Sequence, residues 1–238
     1  HALPIRFTNN DQEQIIYPVL IKTNSSLILV DCGYENQVHL LEEAMLSIGF
    51  HLGELTGIII THHDIDHMGG LFQLKQKYPH IKVYSSNLEA PYISGERKSL
   101  RLQQAEDLFD QLPADYKPWA IAFQQELSNM KPVVVDNSFE EDGPLPFLEL
   151  VNSIHTPGHM PGHISLYIPS IKTLIAADAV VIENDKLQIA NPQFTLDMPK
   201  AMESVRKLSE LEIDNLICYH GGIMKEKIHH HILQLLNS

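Results

Sequence analysis

The chain has 238 residues, a length that suits one α/β domain. Its hydrophobic fraction of 44% and charged fraction of 20% are those of a globular protein, and no apolar run reaches the length of a membrane span. Thirty acidic against 17 basic residues give a formal net charge of -13, which repels phosphate backbones and argues against a nucleic-acid substrate.

Two cysteines, Cys32 and Cys218, make no disulfide framework, so a reducing cytoplasm is the expected setting. The opening residues HALPIRF lack a charged segment followed by an apolar one, so no signal peptide is expected.

In chain order, apolar runs predict strands at 15–21, 27–30, 57–60, 81–85, 132–135, 147–154, 164–168, 173–177 and 215–219. Runs 27–30 and 58–60 are continuously apolar, as suits strands covered on both faces. Between 36 and 48, Val38, Leu41, Met45 and Ile48 share one helical face, and Gly49 follows as a C-terminal cap. The stretch 88–130 is rich in Gln and Glu, interrupted by Pro113 and Pro118, and holds the only tryptophan, Trp119. It reads as two helical segments inserted between strands of a single domain, 1–238. Asp197 is placed to cap a helix over 199–211, with Met202, Val205, Leu208 and Leu211 as its inner stripe. The tail 225–236 reads as a last helix. Strand–helix alternation gives an α/β fold in layers.

The chemistry concentrates in five places. After the apolar run 57–60 come His62, His63, Asp64, Asp66 and His67. Imidazole and carboxylate are ligands for zinc and similar divalent ions. Spacing of i, i+2, i+4 and i+5 fits a loop leaving a strand and turning into a helix, with Gly69 and Gly70 allowing close backbone passage. The others are Leu29-Val-Asp-Cys-Gly33, His155-Thr-Pro-Gly-His-Met-Pro-Gly-His163, Thr173-Leu-Ile-Ala-Ala-Asp178 and Cys218-Tyr-His-Gly-Gly222.

His-x-Asp-x-Asp-His after an apolar strand resembles the His-x-His-x-Asp-His signature of the metallo-β-lactamase superfamily, with Asp64 where that family usually has histidine. The other four segments resemble its remaining motifs, in its order and each at a strand end. The resemblance implies an αββα sandwich, two mixed sheets flanked by helices, with the ligands at one edge. It implies two divalent metal ions, zinc first, with manganese or iron as alternatives because Asp64 is a harder ligand than imidazole. His62, Asp64 and His159 would hold the first metal, and Asp66, His67 and His220 the second. Asp178 would bridge them, and Asp31 would orient ligands from behind. Asp66 would also help orient the nucleophile.

The function implied is a metallo-hydrolase that uses metal-activated hydroxide to cleave a small ester, lactone or thioester, in a glyoxalase II-like or lactonase-like branch. The alternatives are a β-lactam hydrolase, a two-iron redox enzyme related to flavodiiron proteins, which Asp64 suggests, and a non-catalytic metal sensor. Eighteen residues follow His220, so the glyoxalase II C-terminal domain is not expected. Val181 stands where quorum-quenching lactonases carry tyrosine. The expected partner is a small-molecule substrate, with no nucleic acid and no membrane and with a homodimer allowed.

Other residues are read more plainly. His63, lying between ligands, is expected to point away, and His155 and His163 to be structural. Cys32 and Cys218 are expected to be buried inert thiols. Three consecutive side chains fan around a helix, so His229, His230 and His231 are expected at its surface. The 88–130 insert is either a surface hairpin or a substrate wall, with Tyr92, Phe109, Tyr116, Trp119 and Phe123 available to line an acyl pocket.

Overall fold

The computed structural model describes residues 1–9 and 12–237. Its elements run β1 (Ile5–Asn9), β2 (Gln12–Ile16), β3 (Val19–Lys22), β4 (Leu27–Val30), α1 (Val38–Ser47), β5 (Gly57–Ile60), α2 (Ile65–Met68), α3 (Leu71–Lys77) and β6 (Lys82–Ser86). The insert follows as α4 (Ala90–Ile93), α5 (Leu100–Asp107) and α6 (Lys117–Asn129). Then come β7 (Asn137–Phe139), β8 (Gly143–Pro144), β9 (Asn152–His155), β10 (Ile164–Ile168), β11 (Thr173–Ala177), β12 (Val181–Glu183) and β13 (Lys186–Gln188). The chain closes with α7 (Met198–Ser209), β14 (Asn215–Cys218), β15 (Gly222–Met224) and α8 (Ile228–Leu236).

Two mixed sheets carry the fold. One is ordered β3-β4-β5-β6-β7, and the other β15-β14-β11-β10-β9-β8. Side-chain alternation, with its period of two, decides what each face touches. Ile28, Val30 and Ile59 point inward and meet Ile164, Leu166, Ile175 and Ile217 of the facing sheet. Their neighbours Leu27, Leu29, Ile58 and Ile60 point outward onto Leu41 and Met45 of α1 and Leu71 and Leu74 of α3. On the far side Leu174, Ala176, Leu216 and Cys218 pack against Val205 and Leu208 of α7 and Ile228 and Ile232 of α8. That is the αββα sandwich the motifs imply, and its central strands β4 and β5 are apolar throughout because both of their faces are covered.

Several elements differ from the sequence expectation for local reasons. The run 15–21 breaks at Tyr17-Pro18 into β2 and β3, since proline has no N–H for a ladder. Residues 132–135 are not a strand. Pro132 starts an irregular stretch whose N–H groups go to α4 and β6, Val133 to the Ile93 carbonyl and Asp136 to that of Val83. The strand expected over 147–154 shrinks to β9, because Leu145, Leu148 and Val151 are buried at a spacing of three, joined by consecutive turns. The last helix starts at Ile228, not 225. Asp197 does cap α7, accepting from the Lys200 N–H at 3.0 Å, and Gly49 follows α1 at φ +84.

Candidate metal centre

The candidate ligands meet at one edge of the sandwich, where β4, β5, β11 and β14 end and the β9–β10 loop arrives. His62, Asp64, Asp66 and His67 leave β5 through a short loop into α2. Gly69 is needed at the end of α2, since a Cβ there would lie 2.4 Å from the Ile65 carbonyl and 2.7 Å from the Glu35 nitrogen. His159 sits on the loop after β9. There Gly158 adopts φ +135 and presses on α7, leaving a Cβ only 2.4 Å from the Ala201 nitrogen. Asp178 follows a register shift at the end of β11 where Ala177 has φ +47, so the irregularity turns the carboxylate into the cluster.

Three overlapping groups have ligand atoms within 4.8 Å of one another: His62, Asp64 and His159; His62, His67 and Asp178; and Asp66, His67 and His220. All seven sequence-predicted ligands are therefore brought together. His220 Nε2 lies 3.1 Å from Asp66 Oδ2 and 3.5 Å from Asp178 Oδ2. His159 Nε2 lies 2.9 Å from Asp64 Oδ2. Buried atoms with no hydrogen-bond partner include His62 Nε2, His67 Nε2 and Asp178 Oδ1. These three form one of the groups above. Native proteins rarely leave buried polar atoms unpaired, so this convergence suits a cation.

A hydrogen-bond relay behind the ligands fixes which nitrogens face the cluster. Asp31, at φ +59 just after β4, accepts at Oδ1 from the Thr61 N–H at 2.9 Å. Its Oδ2 accepts from the Thr61 hydroxyl at 2.8 Å and from His67 Nδ1 at 2.8 Å. A hydroxyl has one proton, and Thr61 gives it to the carboxylate. Thr61 Oγ1 then accepts from His62 Nδ1 at 3.1 Å. Both imidazoles thus commit Nδ1 backward and turn Nε2 to the site, the second-layer arrangement common behind metal-bound histidines.

Electrostatics follow the same plan. Burial, then His67, pushes the His62 pKa well below normal, leaving a neutral imidazole. Burial opposes charge on His67 too, but Asp178, Asp66 and Asp31 outweigh it and raise its pKa. Burial lowers and Asp178 raises the His220 pKa, which ends at about 10. Burial would raise the Asp178 pKa, yet His220 and His67 hold it well below the carboxylate range. The cluster is organised to hold positive charge.

The remaining histidines and cysteines take the plainer roles expected. His163 accepts at Nε2 from the Asp178 N–H at 3.0 Å and gives Nδ1 to Thr156, and burial lowers its pKa to about 3. His155 bonds the Pro161 carbonyl at 2.8 Å. Cys32 and Cys218 are buried, with thiol pKa values raised by burial. His229 and His230 are exposed on α8, and His231 is half-buried there. His63 pairs with Glu89 and stacks on Tyr92 at 4.4 Å.

Two residues escaped the sequence reading. Glu89, just before α4, is fully buried and accepts from the His63 N–H at 3.0 Å and the Gly162 N–H at 3.1 Å, tying the insert to two motif loops. Arg101 of α5 is 3% exposed and grips Asp64 with both arms, Nε to Oδ1 at 3.0 Å and Nη2 to Oδ2 at 2.6 Å. Burial alone would raise the Asp64 pKa, but this guanidinium holds it well below normal.

A cavity of about 620 Å³ opens over the cluster, lined by Asp64, Asp66, His159, Asp178 and His220 and walled by Tyr34, Arg101, Phe123, Val181 and Phe194. Arg101, Phe123 and Phe194 also border a second, apolar cavity of about 620 Å³ with Leu108, Leu112, Tyr116 and Trp119. The insert therefore walls a pocket beside the centre. Tyr92 does not line it, being stacked on His63, and Phe109 lies under Lys117 off its wall.

The comparisons with known proteins agree with this geometry. The sequence model of the metallo-beta-lactamase superfamily matches residues 13–220. The probable metallo-hydrolase YflN of Bacillus subtilis is 30% identical, over 95% of this chain and 85% of that protein. Hydroxyacylglutathione hydrolase GloC of Haemophilus influenzae is 25% identical over 70% of this chain and 71% of its own. Among solved structures, the metallo-beta-lactamase family protein TTHA1429 of Thermus thermophilus superposes with a TM-score of 0.74 at 17% identity, covering 100% of this chain and 78% of that one. The chain belongs to the metallo-beta-lactamase superfamily. It is a hydrolase of the metal-binding kind found there. No helix among the described residues is long and apolar enough to cross a membrane.

Proposed function

We propose that this enzyme hydrolyses a small ester, lactone or thioester bearing an apolar group, at a centre of up to two metal ions. The observation that carries the reading is the convergence of unpartnered His62 Nε2, His67 Nε2 and Asp178 Oδ1 beneath an open cavity. His62, Asp64 and His159 would form one position and Asp66, His67 and His220 the other, with Asp178 between them. Zinc, or manganese or iron in its place, would supply a water of lowered pKa and a Lewis acid for the substrate carbonyl.

The protein's own groups do the rest. Asp66 is partly exposed to the cavity, and the Tyr219 hydroxyl donates to its backbone carbonyl at 2.5 Å. Held so, its carboxylate orients the attacking water. Asp31 and Thr61 keep His62 and His67 facing the site. The apolar cavity beyond Phe123 and Phe194 receives the substrate's apolar group, while the acidic cluster disfavours an anionic polymer. The relative named hydroxyacylglutathione hydrolase supports including an acyl-glutathione among the substrates tested.

The test is a hydrolysis screen of metal-replete protein against lactones, thioesters, simple esters and β-lactams. Turnover of an ester, lactone or thioester, lost on chelation and restored by metal, is expected. Turnover of β-lactams alone would move the enzyme to that class. A fully metallated chain inert toward every carbonyl substrate would end the hydrolase reading.

A further inference from the structure

The two candidate metal positions are not electrically equal, and the cause is a residue of the insert. Asp64 already has a cation. Arg101 binds it bidentately, at 3.0 and 2.6 Å, in a buried setting. The same Nη2 lies 3.4 Å from His159 Nε2. The guanidinium is fixed on its other side, with Nη1 donating to Gln104 at 2.6 Å and the group lying over the Phe194 ring at 5.2 Å. The insert that delivers it is clamped in turn, since the Leu100 N–H at the start of α5 donates to His63 Nε2 at 3.2 Å.

The charges differ accordingly. At the position of His62, Asp64 and His159, the single carboxylate is cancelled by Arg101. At the position of Asp66, His67 and His220 a full carboxylate remains, with Asp178 between the two. Cation affinity rises with the anionic charge of the ligand set and falls with a fixed positive charge nearby. Contacts among the candidate ligands do not make this difference, since His159 Nε2 lies 2.9 Å from Asp64 Oδ2 and His220 Nε2 lies 3.1 Å from Asp66 Oδ2. Only Asp64 is also gripped by a guanidinium.

We propose that Arg101 competes with metal for Asp64, so that the chain holds one metal ion firmly at Asp66, His67, His220 and Asp178 and a second only weakly. Guanidinium and second ion are alternative cations for one carboxylate. This rests on the reading of the cluster as a metal centre, and adds that the insert sets its stoichiometry.

The test uses Zn²⁺ on the full chain, with metal content measured after exhaustive dialysis and calorimetric titration of the chelator-stripped protein. The wild type should retain one ion and bind a second more weakly by about tenfold or more. Arg101→Gln should tighten the second site by a similar factor and leave the first unchanged. Should that variant fold poorly, the wild-type isotherm still decides. Two ions held equally through dialysis overturn the proposal while leaving the hydrolase reading intact. A second site that weakens in Arg101→Gln also overturns it, because Arg101 would then support the ligand. A wild type that binds no Zn²⁺ overturns both readings.

Discussion

Asp31→Asn changes no shape yet should disarm two ligands at once. The wild-type carboxylate accepts three hydrogen bonds, from the Thr61 N–H, the Thr61 hydroxyl and His67 Nδ1, at 2.9, 2.8 and 2.8 Å. Asparagine tolerates the left-handed backbone at φ +59, so strain is not the issue. An amide has one acceptor and one donor end. With its oxygen on the Thr61 N–H, its NH₂ faces His67 Nδ1 and Thr61 Oγ1. His67 must then accept at Nδ1 and carry its proton on Nε2. Thr61 must accept from the amide and send its own proton to His62 Nδ1, which puts the His62 proton on Nε2 as well. With the amide reversed, two N–H groups meet head on. Either way a buried charge-assisted bond worth about 1.5–3 kcal/mol is lost. Loss of such an orienting partner typically costs about 10–100-fold in metal affinity. Chelator competition with Zn²⁺ measures that loss, and a denaturant melt of the metal-free chain measures the stability. Unchanged metal affinity in a folded Asp31→Asn variant would refute the relay argument.

Three further outcomes are expected. His159→Ala should empty the position shared with His62 and Asp64 and remove nearly all activity, with the other ion still bound; full metal content together with full activity would take His159 out of the site. Trimming Trp119 or Phe123 to Ala, beside the apolar cavity, should cut kcat/KM by about tenfold for long acyl chains and much less for acetyl esters, at full metal content. Equal losses at every chain length would make the insert a structural hairpin. Asp136 accepts from the Val83 N–H at 2.9 Å and pairs with Lys75 and Lys82; burial opposes its ionisation, but these bonds lower its pKa below 3.8. A depressed carboxylate stabilises the fold above its unfolded pKa and loses that contribution as pH falls through the folded value. Asp136→Asn should therefore cost about 1 kcal/mol at neutral pH and nothing in strong acid, a comparison that urea melts at the two pH values make directly.

The core strands were readable because burial on both faces leaves a continuous apolar signature, as in 27–30 and 57–60. Edge elements were not. Residues 147–151 carry the same residue types as a strand, but turns bury them at a spacing of three, and composition alone does not distinguish the two patterns. Pro132 hides a similar ambiguity, since an irregular segment can satisfy its N–H groups on neighbours that only the tertiary structure supplies.

The candidate cluster was legible for a different reason. Metal-binding side chains leave strand ends in short motifs, so their identities lie close together in sequence even when they meet in space. Arg101 has no such motif. It stands 37 positions after Asp64 in a polar helical stretch, where one arginine among glutamines and leucines reads as a solvated face. Its function depends on three placements that sequence does not print: Glu89 tying the insert to the motif loops, His63 receiving the first N–H of α5, and Phe194 lying beneath the guanidinium. His63 points away from the candidate metal positions, as its place between two ligand residues predicts. The direction it takes is what brings α5, and with it a competing cation, to the carboxylate that replaces the superfamily's usual histidine. The substitution at Asp64 and the arginine at 101 are therefore two halves of one feature. An imidazole at position 64 would give Arg101 nothing to hold, and an uncompensated carboxylate there would bind the second ion as firmly as the first.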